Sequence, residues 1–278
     1  MGILFKAPLA PTPSYDGLAW LLVIACIIYG LAGGSKSSLA AAFNKECFGT
    51  AIIVLLTFSP GRWFGVNAEP VFGVPAAWVF QAAGIVMTDW TCGGPHVNPG
   101  ISFAFWLLGK IQADEMFINM IAQTVGATVG IVGCQAFAAA AGWQPLAGPE
   151  ISASIAGDAL TTACSQEFAA MAVLCIVVYA LNFEPSARIQ GHHFYYIVKQ
   201  TLTAVAIRAI IICLPAAGPA INPALATGWQ IFKAGGELPT FAAFWQVYWL
   251  AAFAGALAAT AAYAVYSPSA TFMGRSLR

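Results

Sequence analysis

Charge is what this sequence has least of. Asp, Glu, Lys and Arg make up 8% of its 278 residues, and 60% of its positions are hydrophobic. Soluble domains run near ~25% charged. No soluble core hides that much apolar surface, so the scarcity of charge excludes a soluble globular protein and leaves an integral membrane protein. Net charge is missing too, because eleven basic residues balance eleven acidic ones. That removes the basic face a nucleic-acid partner requires. No Asn-X-Ser/Thr sequon occurs, so glycosylation gives no clue to sidedness. The seven cysteines (26, 47, 92, 134, 164, 175 and 213) are odd in number, scattered and mostly inside apolar runs. They read as small buried hydrophobes, not as a disulfide framework or a metal cluster. The opening stretch MGILFKAPLAPTPSYDG resembles neither a signal peptide nor a transit peptide, and Lys6 breaks the myristoylation pattern. No spacing offers paired acids, a nucleophile–base set or metal ligands, so the expectation is no enzyme, no cofactor and no metal.

What the chain does have is long apolar runs. A spanning helix needs ~20 apolar residues at ~1.5 Å each. Runs of that length lie at about 17–34, 38–59, 73–91, 113–141, 164–183, 194–214 and 239–266. Two shorter runs, at about 98–109 and 222–233, are each half of what a crossing needs. Trp63, Trp143, Tyr195 and Trp245, near segment ends, read as interfacial anchors.

Both short runs follow the same phrase. GGPHVNPGISFAFW at 93–106 is echoed by AGPAINPALATGW at 217–229, which puts Asn98 and Asn222 124 residues apart. Glu46 precedes the first Asn by 52 residues, and Glu167 precedes the second by 55. The chain thus divides into an N-terminal segment 1–37, a first repeat 38–145 and a second repeat with tail 146–278. Each repeat reads as long helix, long helix, half-helix, long helix. Three crossings per repeat is odd, so the second copy lies inverted relative to the first. With the 35–45 loop inside, Lys36, Lys45, Lys110, Arg188, Lys199, Arg275 and Arg278 face the cytoplasm. Lys6, Arg62 and Lys233 face out, which obeys the positive-inside bias.

Asn is a strong helix N-cap, and Pro is favoured at the first helical position. Asn98-Pro99-Gly100 and Asn222-Pro223-Ala224 therefore read as the caps and first turns of two half-helices. Broken helices are tolerated in a bilayer only where they line a cavity or pack on protein. Two N-termini meeting near the midplane put two positive dipole ends there. Each Asn carbonyl caps its own helix, and each NH₂ is expected to face the gap as a donor. Such a site suits a small polar acceptor and repels cations.

These motifs resemble the aquaporin (major intrinsic protein) family from about residue 38 to 266. HVNPG (96–100) and INPA (221–224) match its paired Asn-Pro-Ala motifs, with Gly100 a departure. ECFGT (46–50) and QEF (166–168) match the Glu-bearing starts of its repeats, and AQTVGATVG (122–130) matches its third helix. The resemblance implies an all-α, right-handed bundle of six transmembrane helices and two re-entrant half-helices around a narrow pore. It implies that Glu46 and Glu167 are buried braces of the half-helix loops, and that His96 shapes its loop. GPAINPALATGW (218–229), FWQVYWLAAFAGA (244–256) and the additional hydrophobic helix at 17–34 are similar to the unorthodox branch, the superaquaporins and small basic intrinsic proteins. That likeness implies an intracellular membrane such as the endoplasmic reticulum.

The departures concern selectivity. Orthodox members follow the second motif with Arg, where this chain has Leu225. Family spacing puts the other three filter positions at Trp78, Ile210 and Pro219, an apolar quartet. A lone Arg within a span is unfavourable by ~2.5–3.5 kcal/mol on insertion scales. Arg208 must therefore find a carboxylate, a carbonyl or the interface; lying about 200° of helix turn from Ile210, it reads as no replacement for the filter Arg. His192 and His193 read as a solvated loop pair, and Asp89 is given no role. The resemblance implies a passive channel for water or small neutral solutes such as glycerol or hydrogen peroxide, with family members usually homotetrameric. The alternative is an aquaporin-fold structural subunit of a membrane assembly, with a closed pore.

Overall fold

The computed structural model describes residues 38–57, 76–140, 148–185, 187–216, 219–267 and 270–275. The hydrophobic helix expected at 17–34 lies outside the described residues, as do Lys6, Lys36, Arg62, Trp63, Trp143 and Arg278. The described chain is helical: α1 Ser38–Thr57, α2 Ala76–Cys92, α3 Pro99–Leu107, α4 Ala113–Ala140, α5 Gly157–Asn182, the single turn α6 Ala187–Gln190, α7 His193–Cys213 and α8 Pro223–Lys233. The last helix, α9, runs Ala242–Tyr266 with a π-helical turn over Gln246–Ala251. Among the described residues α1, α4, α5, α7 and α9 are long and apolar enough to cross a membrane. The protein is an integral, multi-pass membrane protein.

The half-helices are short for a physical reason. With 9 and 11 residues, α3 and α8 reach only about 14 and 17 Å, half of a ~30 Å hydrocarbon layer. α5 departs from the expected boundary, starting at Gly157 where the apolar run begins at 164. Its first turn is exposed and carries Asp158, where an acid is favoured by the helix dipole, and Leu160 and Ala163 then begin its packed face. Hydropathy marks where a helix enters the apolar layer, not where it begins.

Packing follows the repeat. α1 packs on α4 and α2, while α5 packs on α9 and α7. The half-helices cross over, α8 lying on α4 and α3 on α9. Two glycines set the closest approaches. A Cβ on Gly126 of α4 would meet the carbonyl oxygen of Cys47 on α1, and one on Gly255 of α9 would meet that of Phe168 on α5. Cys47 and Phe168 each follow the repeat's Glu, so the two approaches are counterparts. Small residues at such crossings let backbones touch, the main source of helix association where lipid removes the hydrophobic drive.

Contacts between helix ends distinguish two sides of the bundle. Met273 N donates to Leu107 O at 2.7 Å, Tyr263 OH donates to Glu184 at 2.8 Å, and Lys110 Nζ lies 5.4 Å from the Phe183 ring centre. The ends of α3, α5 and α9 and the 270–275 segment therefore share one side, with Lys110 and Arg275. The end of α8 lies on the other, where Lys233 pairs with Glu150, which also accepts from Trp229 Nε1 at 3.1 Å.

Candidate functional site

Both Asn-Pro phrases form helix caps. Asn98 is extended (φ −152°, ψ 122°), and its Oδ1 accepts from Gly100 N at 2.9 Å. Asn222 is likewise extended (φ −138°, ψ 103°), and its Oδ1 accepts from Ala224 N at 3.0 Å and Leu225 N at 3.3 Å. The residue before each Asn is β-branched and left-handed, Val97 at φ 51° and Ile221 at φ 54°. Such backbone costs on the order of 1–3 kcal/mol and persists only where surrounding contacts over-determine it.

Those contacts are present. Glu46, fully buried, accepts His96 N at 2.7 Å and Val97 N at 2.8 Å, one on each oxygen, and takes a third bond from Gln123 Nε2 at 2.8 Å. Glu167 does the same in the second repeat, accepting Ala220 N at 2.7 Å and Ile221 N at 3.0 Å. A hydrogen bond is worth roughly 0.5–1.5 kcal/mol net, and two meet each turn, which is on the scale of the backbone strain. His96 packs on Phe105, with ring centres 4.4 Å apart, and its Nδ1 lies 3.1 Å from Ser102 Oγ.

The turned-out carbonyls then join the two halves. Asn98 Nδ2 donates to Ile221 O at 2.9 Å, and Asn222 Nδ2 donates to Val97 O at 2.7 Å. Each cap thus holds the other repeat's strained residue. The expectation that both NH₂ groups face the gap is therefore revised: an amide has two donor hydrogens, and one of each ties the loops together.

Past these caps runs a cavity of about 520 Å³. With the side of Lys110 and Arg275 called inner and that of Lys233 outer, as the charge bias expects, helix direction puts Asn182, Lys199 and Asp89 toward the inner end, His96, Asn98 and Asn222 in the middle, and Gly148, Pro149, Gln81, Arg208, Pro219 and Leu225 toward the outer end. Two helix N-termini, each carrying about half a positive charge, meet at its middle. Pro99, Gly100, Pro223 and Ala224 are buried behind the lining.

Of the four positions expected at a filter, Leu225 and Pro219 line the cavity, while Trp78 and Ile210 do not. Trp78 lies about two turns from Ile85 and shares its face, but it stands one turn beyond Gln81, the outermost lining residue of α2. Ile210 packs instead with Leu174 and Ile221 in the core. α7 presents Gln200, Thr203, Ile207, Arg208 and Ile211 to the cavity, while Ile210 is buried in the core beside that face. Counting back from Asn222 by family spacing therefore does not pick out the α7 residues that line the cavity. Arg208, set aside because of its angle to Ile210, lines the cavity, as does Asp89. An Arg in an apolar span was the signal for the first; Gln81 carried none.

The major intrinsic protein family model matches residues 34–263. The chain belongs to the major intrinsic protein family. A relative named "Probable aquaporin PIP2-8", from Oryza sativa subsp. japonica, is 25% identical over 81% of this chain and 80% of its own. The glycerol uptake facilitator protein of Bacillus subtilis (strain 168) is 28% identical over 33% of this chain and 35% of its own. In fold, the aquaglyceroporin from Plasmodium falciparum superposes with a TM-score of 0.61 at 20% identity, covering 81% of this chain and 96% of that one. Neither the unorthodox branch nor an intracellular membrane gains support from these relatives, which are PIP-type aquaporins and a glycerol facilitator in name. In this major intrinsic protein the paired Asn-Pro phrases are the two caps just described.

Proposed function

We propose that the protein is a passive channel that conducts water and small neutral solutes across the membrane. The observation that carries this reading is the cavity that runs from Lys199 and Asn182 at one end, past both Asn caps, to Leu225 and Pro219 at the other. A molecule crossing it meets two helix N-termini, which offer positive potential and donors and disfavour cations. The outer end is atypical, because Leu225 and Pro219 supply bulk but no hydrogen-bond donor, which leaves Gln81 and Arg208 as the donor side chains there. A solute that sheds water against Leu225 and Pro219 without replacement loses roughly 1–3 kcal/mol per unpaired polar group, so passage is slower and less strictly water-selective than through a path lined by donors on every side.

The test is osmotic swelling of proteoliposomes carrying wild type and Asn222→Asp. The substitution keeps a capping oxygen but removes the Nδ2 donor held by Val97 O and adds charge between two dipole ends. Wild type is expected to raise water permeability above that of empty vesicles, and the variant to lose most of that gain. A wild type as tight as the empty vesicle would instead support a structural role in a membrane assembly.

A further inference from the structure

Arg208 lies five residues from the C-terminal end of α7, in the outer half of the cavity, which it lines with Gln81, Pro219, Ile211 and Leu225. Its Nε is buried without a hydrogen-bond partner, and among the described residues the only ion pair is that of Lys233 with Glu150. The other charged residues of the lining, Asp89 and Lys199, stand at the inner end. Lys199 is nine residues away along α7, about 14 Å of helix rise. Intramembrane arginines ordinarily pair with an acid or a carbonyl, or face water. Here the described protein supplies no such pair, and the side chain opens onto a cavity, so its N–H groups are left to whatever occupies that cavity. A guanidinium is always charged and only donates. Of its neighbours in the lining, Leu225, Pro219 and Ile211 have no side-chain acceptor, and Gln81 has one.

We propose that Arg208 is the charge filter of this path. It holds a fixed positive charge in the outer half of the cavity, donates to neutral acceptors as they pass and turns back cations, a task that Leu225 and Pro219 cannot perform. The inference rests on the channel reading above. A cation reaching Arg208 meets like charge beside the apolar side chains of Leu225, Pro219 and Ile211 and next meets the two positive helix ends at Asn98 and Asn222. Water or a hydroxylated solute instead exchanges lost hydration for bonds from the guanidinium.

Proteoliposomes carrying wild type, Arg208→Leu and Arg208→Lys are compared for water permeability and for potassium and proton leak. In parallel, Arg208→Cys and Ala209→Cys are treated from the outer side with a membrane-impermeant methanethiosulfonate, and label is counted above that of the unsubstituted protein. Ala209 lies on the exposed, outward face of α7. The expected result is labelling at position 208 but not 209. Cation leak should rise roughly tenfold or more in Arg208→Leu, on the scale by which one sign of charge in a cleft alters local ion concentration. It should stay at the wild-type level in Arg208→Lys. A water-conducting wild type whose position 208 takes no label, or whose Arg208→Leu variant leaks no more cations, overturns the filter and leaves the channel reading standing. A wild type that passes no water, with position 208 labelled, overturns the channel reading and the filter with it.

Discussion

Gly100 occupies the place where the family phrase has Ala, and the structure makes Gly100→Ala a sharp test. Ala is preferred over Gly inside a helix by about 0.5–1 kcal/mol, so propensity alone says the change stabilises. Packing says the opposite. A Cβ on Gly100 would overlap Met171 Cε, would lie 2.6 Å from Met171 Sδ, and would press on the capping oxygen of Asn98 at 3.3 Å. Met171 is fully buried and sits one turn after Glu167, so it yields only by repacking the core around α5. Overpacking of this kind costs about 1–3 kcal/mol. The net expectation is a loss of roughly 1 kcal/mol, or a Tm about 2–4 °C lower for a chain of this size, read by thermal unfolding of detergent-purified protein. Met171→Val should itself be mildly destabilising. Combined with Gly100→Ala it should restore stability beyond additivity, with a coupling of about 0.5–3 kcal/mol expected for residues in contact. A higher Tm for Gly100→Ala, or strict additivity in the pair, would refute the claim that Met171 fills the missing methyl's space.

Leu225→Ala removes bulk from the outer end of the cavity, so glycerol flux into proteoliposomes should rise several-fold relative to water flux; unchanged rates in a conducting protein would mean Leu225 is not at the constriction. Gly126→Ala and Gly255→Ala each drive a methyl into a backbone carbonyl, and both should sharply reduce the yield of monodisperse protein, to similar extents. Unequal effects would deny that the α1–α4 and α5–α9 crossings are counterparts. Lys233→Ala breaks an ion pair whose partners are half exposed, with side chains 52% and 42% accessible, so it should shift stability by no more than about 0–1 kcal/mol. A large Tm loss would show that Glu150 is held for its bond to Trp229.

Much of the architecture was legible because its signals are local. Asn followed by Pro announces a helix start, and the run that follows is too short to cross, so α3 and α8 can be read without their neighbours. The caps at Asn98 and Asn222 belong to the same class. What stayed hidden depends on partners far along the chain. Nothing in the sequence says that β-branched Val97 and Ile221 turn left-handed, since the carboxylates compelling it sit some 50 residues earlier. The lining face of α7 was hidden because which of its residues meet the cavity depends on the helices packed against it. The start of α5 was missed because a polar helical turn outside the apolar layer looks like loop to any reading of hydropathy.

The crossed bonds between the caps also set a timetable for making the protein. Val97 O waits for an amide 125 residues later, and the Asn98 amide waits for a carbonyl 123 residues later. A ribosome adding ~5–20 residues per second needs roughly 6–25 s to supply them. Until then a strained loop sits in the membrane with a carbonyl and an amide open to any competing partner. The first four helices therefore cannot finish folding on their own schedule. Slow translation between residues 100 and 220, or a truncation inside that stretch, leaves a half-built loop for quality control to find.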